Sequence, residues 1–172
     1  LEHRPLPEVF DVILDLLFEH LPVERGAILL LEGTPPRLAV KAARSRRGPD
    51  IKHISSSIAR RVLTERALLL LPNILEDAAF STQDSILSSG IRSALCAPLW
   101  YRPAGASASG RSDVIGLVYL DTLQRSQEFA EDDLQVLQLL SEVAAAKIET
   151  ARLLEESLER RQLDQDMRVA AE

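Results

Sequence analysis

Residues 92–101 read RSALCAPLWY and residues 114–121 read VIGLVYLD; these two stretches decide the fold. Each is short and apolar almost without a break, the mark of a strand whose two faces are both covered. Covering both faces takes helices on both sides of the sheet. Working outward, residues 26–32 (GAILLLE) form a dense apolar run and Gly33-Thr34-Pro35-Pro36 a turn signal. Residues 37–44 (RLAVKAAR) follow with period-two character, so the two runs predict a β-hairpin. Residues 67–71 predict a brief strand stopped by Pro72, and residues 102–113, rich in Gly, Ala and Ser, a mobile loop.

The helical patterns frame these strands. Pro7 suits a first helical turn, and Val9, Val12, Ile13, Leu16 and Leu17 recur at helical spacing, predicting a helix over 7–20 that Leu21-Pro22 ends. A serine among Ser55, Ser56 and Ser57 can cap a helix carrying Ile58, Val62 and Leu63. The polar residues 73–90, with Asp77, Ser81, Asp84 and Ser85, have room for a short capped helix before Gly90. From about residue 130 one long helix is expected, with Leu137, Leu140, Ala144, Ile148, Ala151, Leu154 and Leu158 on a single stripe. Beyond Leu158 the stripe gives way to Glu159, Arg160, Arg161, Asp164 and Asp166. Residues 1–158 are therefore expected to form one domain, and residues 159–172 a helical or coiled-coil linker to a downstream output domain.

Composition narrows the function classes. The 172 residues are 46% hydrophobic and 27% charged, an ordinary balance for a globular chain of one domain. The net charge of −6 argues against nucleic acid or an anionic membrane as the main partner. No apolar run approaches the roughly 18 residues of a membrane span, and the charged opening residues do not resemble a signal peptide. A single cysteine, Cys96, permits no internal disulfide and suits a reducing, cytoplasmic setting. Lysine occurs only at Lys41, Lys52 and Lys147 while arginine abounds, a usage that hints at a GC-rich bacterial source. The chain lacks an initiator Met and stops within a helical pattern, so it reads as a fragment of a longer protein.

The motif text carries a resemblance. Pro72-Asn73-Ile74…Asp77…Phe80, then 90–99 (GIRSALCAPL), then 114–121 (VIGLVYLD), then Phe129…Asp133-Leu134, together resemble the GAF family over about residues 5–155. The resemblance implies an α+β sandwich: a central antiparallel sheet with the first and last helices on one face. On the other face, middle helices and loops roof a small-molecule pocket. It also implies a sensory and regulatory module of a bacterial signalling protein, fused to an output domain. Carried over from the family's pocket, Asn73, Asp77, Phe80, Ser81, Ser93 and Tyr119 are the expected ligand contacts, with donors, acceptors and a ring suited to a small polar ligand.

Family chemistries can be weighed on the residues. Cyclic-nucleotide-binding members carry Asn-Lys after the last strand, where this chain has Asp121-Thr122; their Phe…Asp-Glu becomes Phe129…Asp133-Leu134. Phe129 and Asp133 then read as a buried anchor and a helix-first-turn charge. Bilin attachment needs a reactive cysteine, whereas Cys96 sits mid-strand among apolar residues with no basic neighbour. Sulfoxide reduction needs several cysteines. Of His3, His20 and His53, only His53 precedes the expected roof helix, and it reads as a loop residue beside Lys52. Asp77 and Asp84 have no second His or Cys to complete a metal set. No phosphate loop, nucleophile elbow or zinc-protease motif occurs, so no catalytic residue, metal or cofactor is expected. The basic cluster Lys41, Arg44, Arg46, Arg47 and Lys52 lacks interleaved aromatics and reads as a solvated loop.

The expected output route is a homodimer through the terminal helices, parallel and continued past Leu158, with Leu137, Leu140, Ala144, Ile148, Ala151 and Leu158 at the interface. The alternative reading is a purely structural dimerisation and relay module whose pocket is empty or filled by bulky residues such as 68–71.

Overall fold

The computed structural model describes residues 4–74, 90–102, 113–123 and 128–171. In chain order the elements are α1 (Leu6–His20), β1 (Arg25–Glu32), β2 (Arg37–Ser45), α2 (Ser56–Glu65), β3 (Leu69–Leu71), β4 (Ile91–Tyr101), β5 (Asp113–Leu123) and α3 (Glu131–Ala171). The strands make one sheet in the order β2-β1-β5-β4-β3, every paired neighbour antiparallel. The two stretches that decide the fold are β4 and β5, the longest strands, and β5 lies at the centre. The polar segment and the Gly/Ala/Ser-rich segment expected to form a short helix and a loop fall almost wholly outside the described residues.

Alternation along each strand splits the core in two. Ile28 and Leu30 of β1, Leu95 and Leu99 of β4 and Val118 and Leu120 of β5 face α1 and α3. Ala27, Leu29, Ala94, Cys96, Leu117 and Tyr119 face the other way, where Ile58 and Val62 of α2 cover them. This is the α+β sandwich expected from sequence. α1 has Pro5 at its N-cap and Pro7 in its first turn, and ends where extended Leu21 returns its N–H to Leu17 O. Ser55 stands at the α2 N-cap, but its hydroxyl makes no capping hydrogen bond, a departure from the capping expected there.

The basic cluster, expected as a solvated loop, is not merely solvated, and Lys41 and Arg44 belong to β2 itself. Arg44 pairs with Asp15 of α1, and Arg46 donates to Val23 O at 2.6 Å and Phe18 O at 2.5 Å, while Lys41 pairs with Glu32 at 2.6 Å. Both arginines also stand over the Phe18 ring. Three of its five cations thus brace the hairpin, two of them against α1 and its exit.

The long helix also differs from expectation in one respect. Leu137, Ala144, Ile148 and Ala151 are buried within this single chain, against α1 and the sheet, and Leu140 is partly buried beside them. The stripe expected to join two copies is largely spent inside one, because the sheet's first face needs a lid and α1 alone is too narrow. Leu158 remains exposed. Every residue from Leu158 to Ala171 is exposed, so the last turns of α3 extend clear of the domain body.

Gly116 shows how close the central strands run. A Cβ there would meet the carbonyl oxygen of Leu29 and the Cα of Leu30, both backbone atoms that cannot rotate away. Gly116→Ala should lower the unfolding free energy by more than about 3 kcal/mol, read from urea denaturation. An unfolding midpoint within error of wild type would contradict this packing.

Candidate functional site

On the second face, at the end where β1 begins and β5 finishes, lies a cleft of about 640 Å³. One wall is residues 49–56, the link between β2 and α2, and the floor is Arg25, Ile91, Tyr119 and Asp121. Antiparallel pairing builds this floor: it sets Arg25, the first residue of β1, directly across from Asp121 near the end of β5. Tyr119 comes two residues before Asp121 and so shares its face.

These three side chains form a closed polar unit. Arg25 Nε donates to Asp121 Oδ1 at 2.9 Å and Arg25 Nη2 to Oδ2 at 2.6 Å, a two-pronged pairing suited to the planar guanidinium. Tyr119 Oη donates to Oδ2 at 2.9 Å. Asp121 has no exposed surface, whereas the Arg25 side chain keeps 18% of its own. Burial raises the Asp121 carboxyl above its ordinary pKa, against the pull of Arg25 and Tyr119. Burial alone would lower the Arg25 pKa, but the hydrogen bond and charge of Asp121 more than offset it and the net shift is upward. Tyr119 is held protonated by burial and by the neighbouring carboxylate, and so stays a donor.

The wall adds Lys52 and His53, both exposed, and Ser55, whose buried Oγ has no hydrogen-bond partner. The cleft thus combines an ionic floor whose charges pair with one another with polar and charged groups at its rim. Cys96 is fully buried outside the cleft lining, and desolvation lifts its thiol far above the ordinary range. Among the described residues, no three His, Cys, Asp or Glu side chains gather as a metal set.

The expected contacts divide. Tyr119 lines the cleft. Asn73 is half-buried near the end of β3 and is not part of the lining, and Asp77, Phe80 and Ser81 lie outside the described residues. Ser93 is on the opposite face. Its Oγ is 2.6 Å from Thr122 Oγ1, and it accepts the Phe129 N–H at 3.3 Å. Phe129 is buried, and Asp133 Oδ2 accepts the Ala130 N–H at 2.8 Å, closing the first turn of α3. Phe129 is thus the buried anchor and Asp133 the first-turn charge read from the sequence, and Asp133 in addition accepts a backbone N–H. Arg25 and Asp121 were not among the expected contacts. Their signal was a lone acid closing one apolar strand and a lone base opening another, legible only once β1 and β5 are known to pair.

The sequence pattern of the GAF domain family matches residues 5–148. The chain belongs to the GAF family. Solved GAF domains share its shape at low sequence identity. That of a GAF domain/HD domain protein from Geobacter sulfurreducens is 15% identical, with a TM-score of 0.65 over 86% of this chain and 94% of that one. That of an Acinetobacter phosphoenolpyruvate-protein phosphotransferase is 18% identical, with a TM-score of 0.64 over 87% and 86%. That of a two-component sensor histidine kinase from Bacillus halodurans is 18% identical, with a TM-score of 0.60 over 86% and 96%. No curated protein sequence matches the chain. Among its described residues, no helix of this GAF domain is long and apolar enough to cross a membrane.

Burial of Cys96 makes a direct prediction. In native buffer at pH 8 the thiol should stay unreactive toward a disulfide reagent such as DTNB, and react fully on addition of guanidinium. Rapid labelling of the folded protein would contradict the placement of Cys96 in the core.

Proposed function

We propose that this GAF domain is a non-catalytic sensory module: a small polar ligand occupies the cleft over Arg25, Tyr119 and Asp121, and α3 carries the response to a fused output domain. Adjacency on β5 carries the reading. Asp121 points into the cleft floor, and the next residue, Thr122, points to the other face and holds Ser93, which accepts the N–H of Phe129 just before α3. A strand cannot shift one of these neighbours without the other, because successive side chains leave one backbone on opposite sides. A ligand that draws Arg25 or Tyr119 toward itself loosens or turns Asp121, and the same backbone movement reaches the root of α3 through Thr122.

Ligand binding then acts by favouring one of two arrangements of β5 and α3, and its leverage equals its difference in affinity for the two. The module works as a homodimer joined through its terminal helices and resides in the cytoplasm. The non-catalytic reading is supported by the way the cleft's buried ionisable groups are spent on one another, Arg25 and Tyr119 both engaging Asp121.

Native mass spectrometry of the purified domain tests the reading. A non-covalent added mass is expected in the wild type. Lys52→Ala or His53→Ala, exposed residues whose loss should leave the fold intact, should lower its occupancy severalfold. An added mass indifferent to both substitutions would move the ligand elsewhere. A bare mass that stays bare after incubation with cell extract would favour a structural relay with no ligand.

A further inference from the structure

A second cavity, of about 700 Å³, opens at the opposite end of the sheet from the cleft and shares no lining residue with it. It lies where β4 ends, between the turn from α2 to β3 and the flank of α3. Leu68 and Pro98 give it apolar wall, and Gln138 and Glu142 of α3 close one side. Two of its other residues are out of the ordinary. Trp100 is 40% exposed, although its ring is among the largest apolar surfaces a chain can bury. Arg66 ends α2 in the left-handed region, at φ 53°, where glycine usually stands because a Cβ is strained there. Its backbone N–H bonds Val62 O, a contact that glycine would make equally well. What arginine adds is a guanidinium 5.8 Å from the centroid of the Trp100 ring. Strain kept for the sake of a side chain points to a task for that side chain.

We propose that this cavity is a ligand site in its own right and takes a small, flat aromatic acid. The ring lies against Trp100, Leu68 and Pro98, and the carboxylate is held by Arg66 and Arg102. Size sets the first part, since the cavity falls within the range of small-molecule sites, about 300–1,000 Å³. Charge sets the second. Two arginines against the single acid Glu142 leave the lining cationic, in a chain whose net charge is −6. A local excess of positive charge on an acidic protein draws anions to that spot. A guanidinium carries five donors in a planar fork and stacks on aromatic faces, so each arginine can hold a carboxylate alongside any partner it already has.

An extended peptide fits this place less well. β3 pairs only with Ala94 to Cys96, and among the described residues the outer edge of β4 past Cys96 has no strand beside it. Pro98 stands in that stretch with no N–H to offer, which blunts the edge against an added strand. A compact ligand needs no such ladder. Because Gln138 and Glu142 belong to α3, it would touch that helix directly, without passing through the cleft or β5.

The site stands whether or not the cleft binds a ligand, and its test is separate. Trp100 is the chain's single tryptophan, so its emission reads this cavity alone. para-Nitrobenzoate, a flat aromatic acid that quenches indole on contact, should quench that emission saturably at millimolar concentration. The uncharged para-nitrobenzamide should bind severalfold more weakly. Arg102→Gln should weaken the acid roughly three- to tenfold. Arg66→Gly should do the same while holding or raising the melting temperature, since glycine relieves the left-handed backbone and a failure to fold is thereby set aside. Lys52→Ala, at the cleft, should change nothing. Quenching that rises without saturation and equally for acid and amide would overturn the proposal, as would saturable quenching that survives both arginine substitutions. An effect lost with Lys52→Ala instead would place the acid in the cleft and overturn it too.

Discussion

A carboxylate without access to water is the constraint around which this domain is organised. Asp121 carries its charge into the sheet only because Arg25 approaches it with two donors and Tyr119 with a third. Stripping one partner from such a unit typically costs about 3–5 kcal/mol, since the other charge stays buried and unpaired. The unit therefore fixes the register of β1 against β5, the pairing that joins the hairpin to the rest of the sheet. Replacing it with apolar residues need not weaken a fold, so stability alone does not account for it. It lies in the floor of the cleft, where the Arg25 side chain keeps 18% of its surface open.

The opposite face of β5 has a different task. Thr122, Ser93 and the Phe129 N–H make a small hydrogen-bonded joint where the sheet hands over to α3, and Asp133 then closes the helix's first turn. Below that joint α3 lies on the core, Glu155 still accepts the Leu6 N–H of α1 at 2.9 Å, and from Leu158 onward every described residue is exposed. Cleft, joint and helix are thus connected through one strand and a few buried polar contacts, without a long chain of intermediates. One stripe of α3 serves as the lid of the sheet.

Much of this was legible in the sequence. The runs that became β4 and β5 announced themselves because strands covered on both faces need no polar alternation, and α1 and the hairpin followed from periodicity and turn residues. The family pattern was readable from motifs around Pro72, Gly90, Gly116 and Phe129. The site was harder. Ser93 looked like a pocket donor because it sits in the right strand, but a shift of one residue sends a side chain to the other face, and Ser93 fell on the side of the helices. Asp121 was visible only as a departure from another motif, since its partner lies 96 residues away and the pairing of first strand with last is not written locally. The helix stripe was read correctly as apolar, yet Leu137 and Ile148 went to the core, because periodicity shows which residues share a face and not what covers it.

The claim on which the rest turns is that the cleft floor and the root of α3 move together through β5. Amide hydrogen exchange, followed by mass spectrometry on wild type and Asp121→Asn, measures this directly. If the two faces are coupled, softening the floor should speed exchange at Phe129 and through the first turn of α3, while the middle of α3, held by Ala144 and Ile148, stays protected. Faster exchange confined to β1 and β5, with residues 129–134 unchanged, would show that the floor is a local support and that α3 does not sense it.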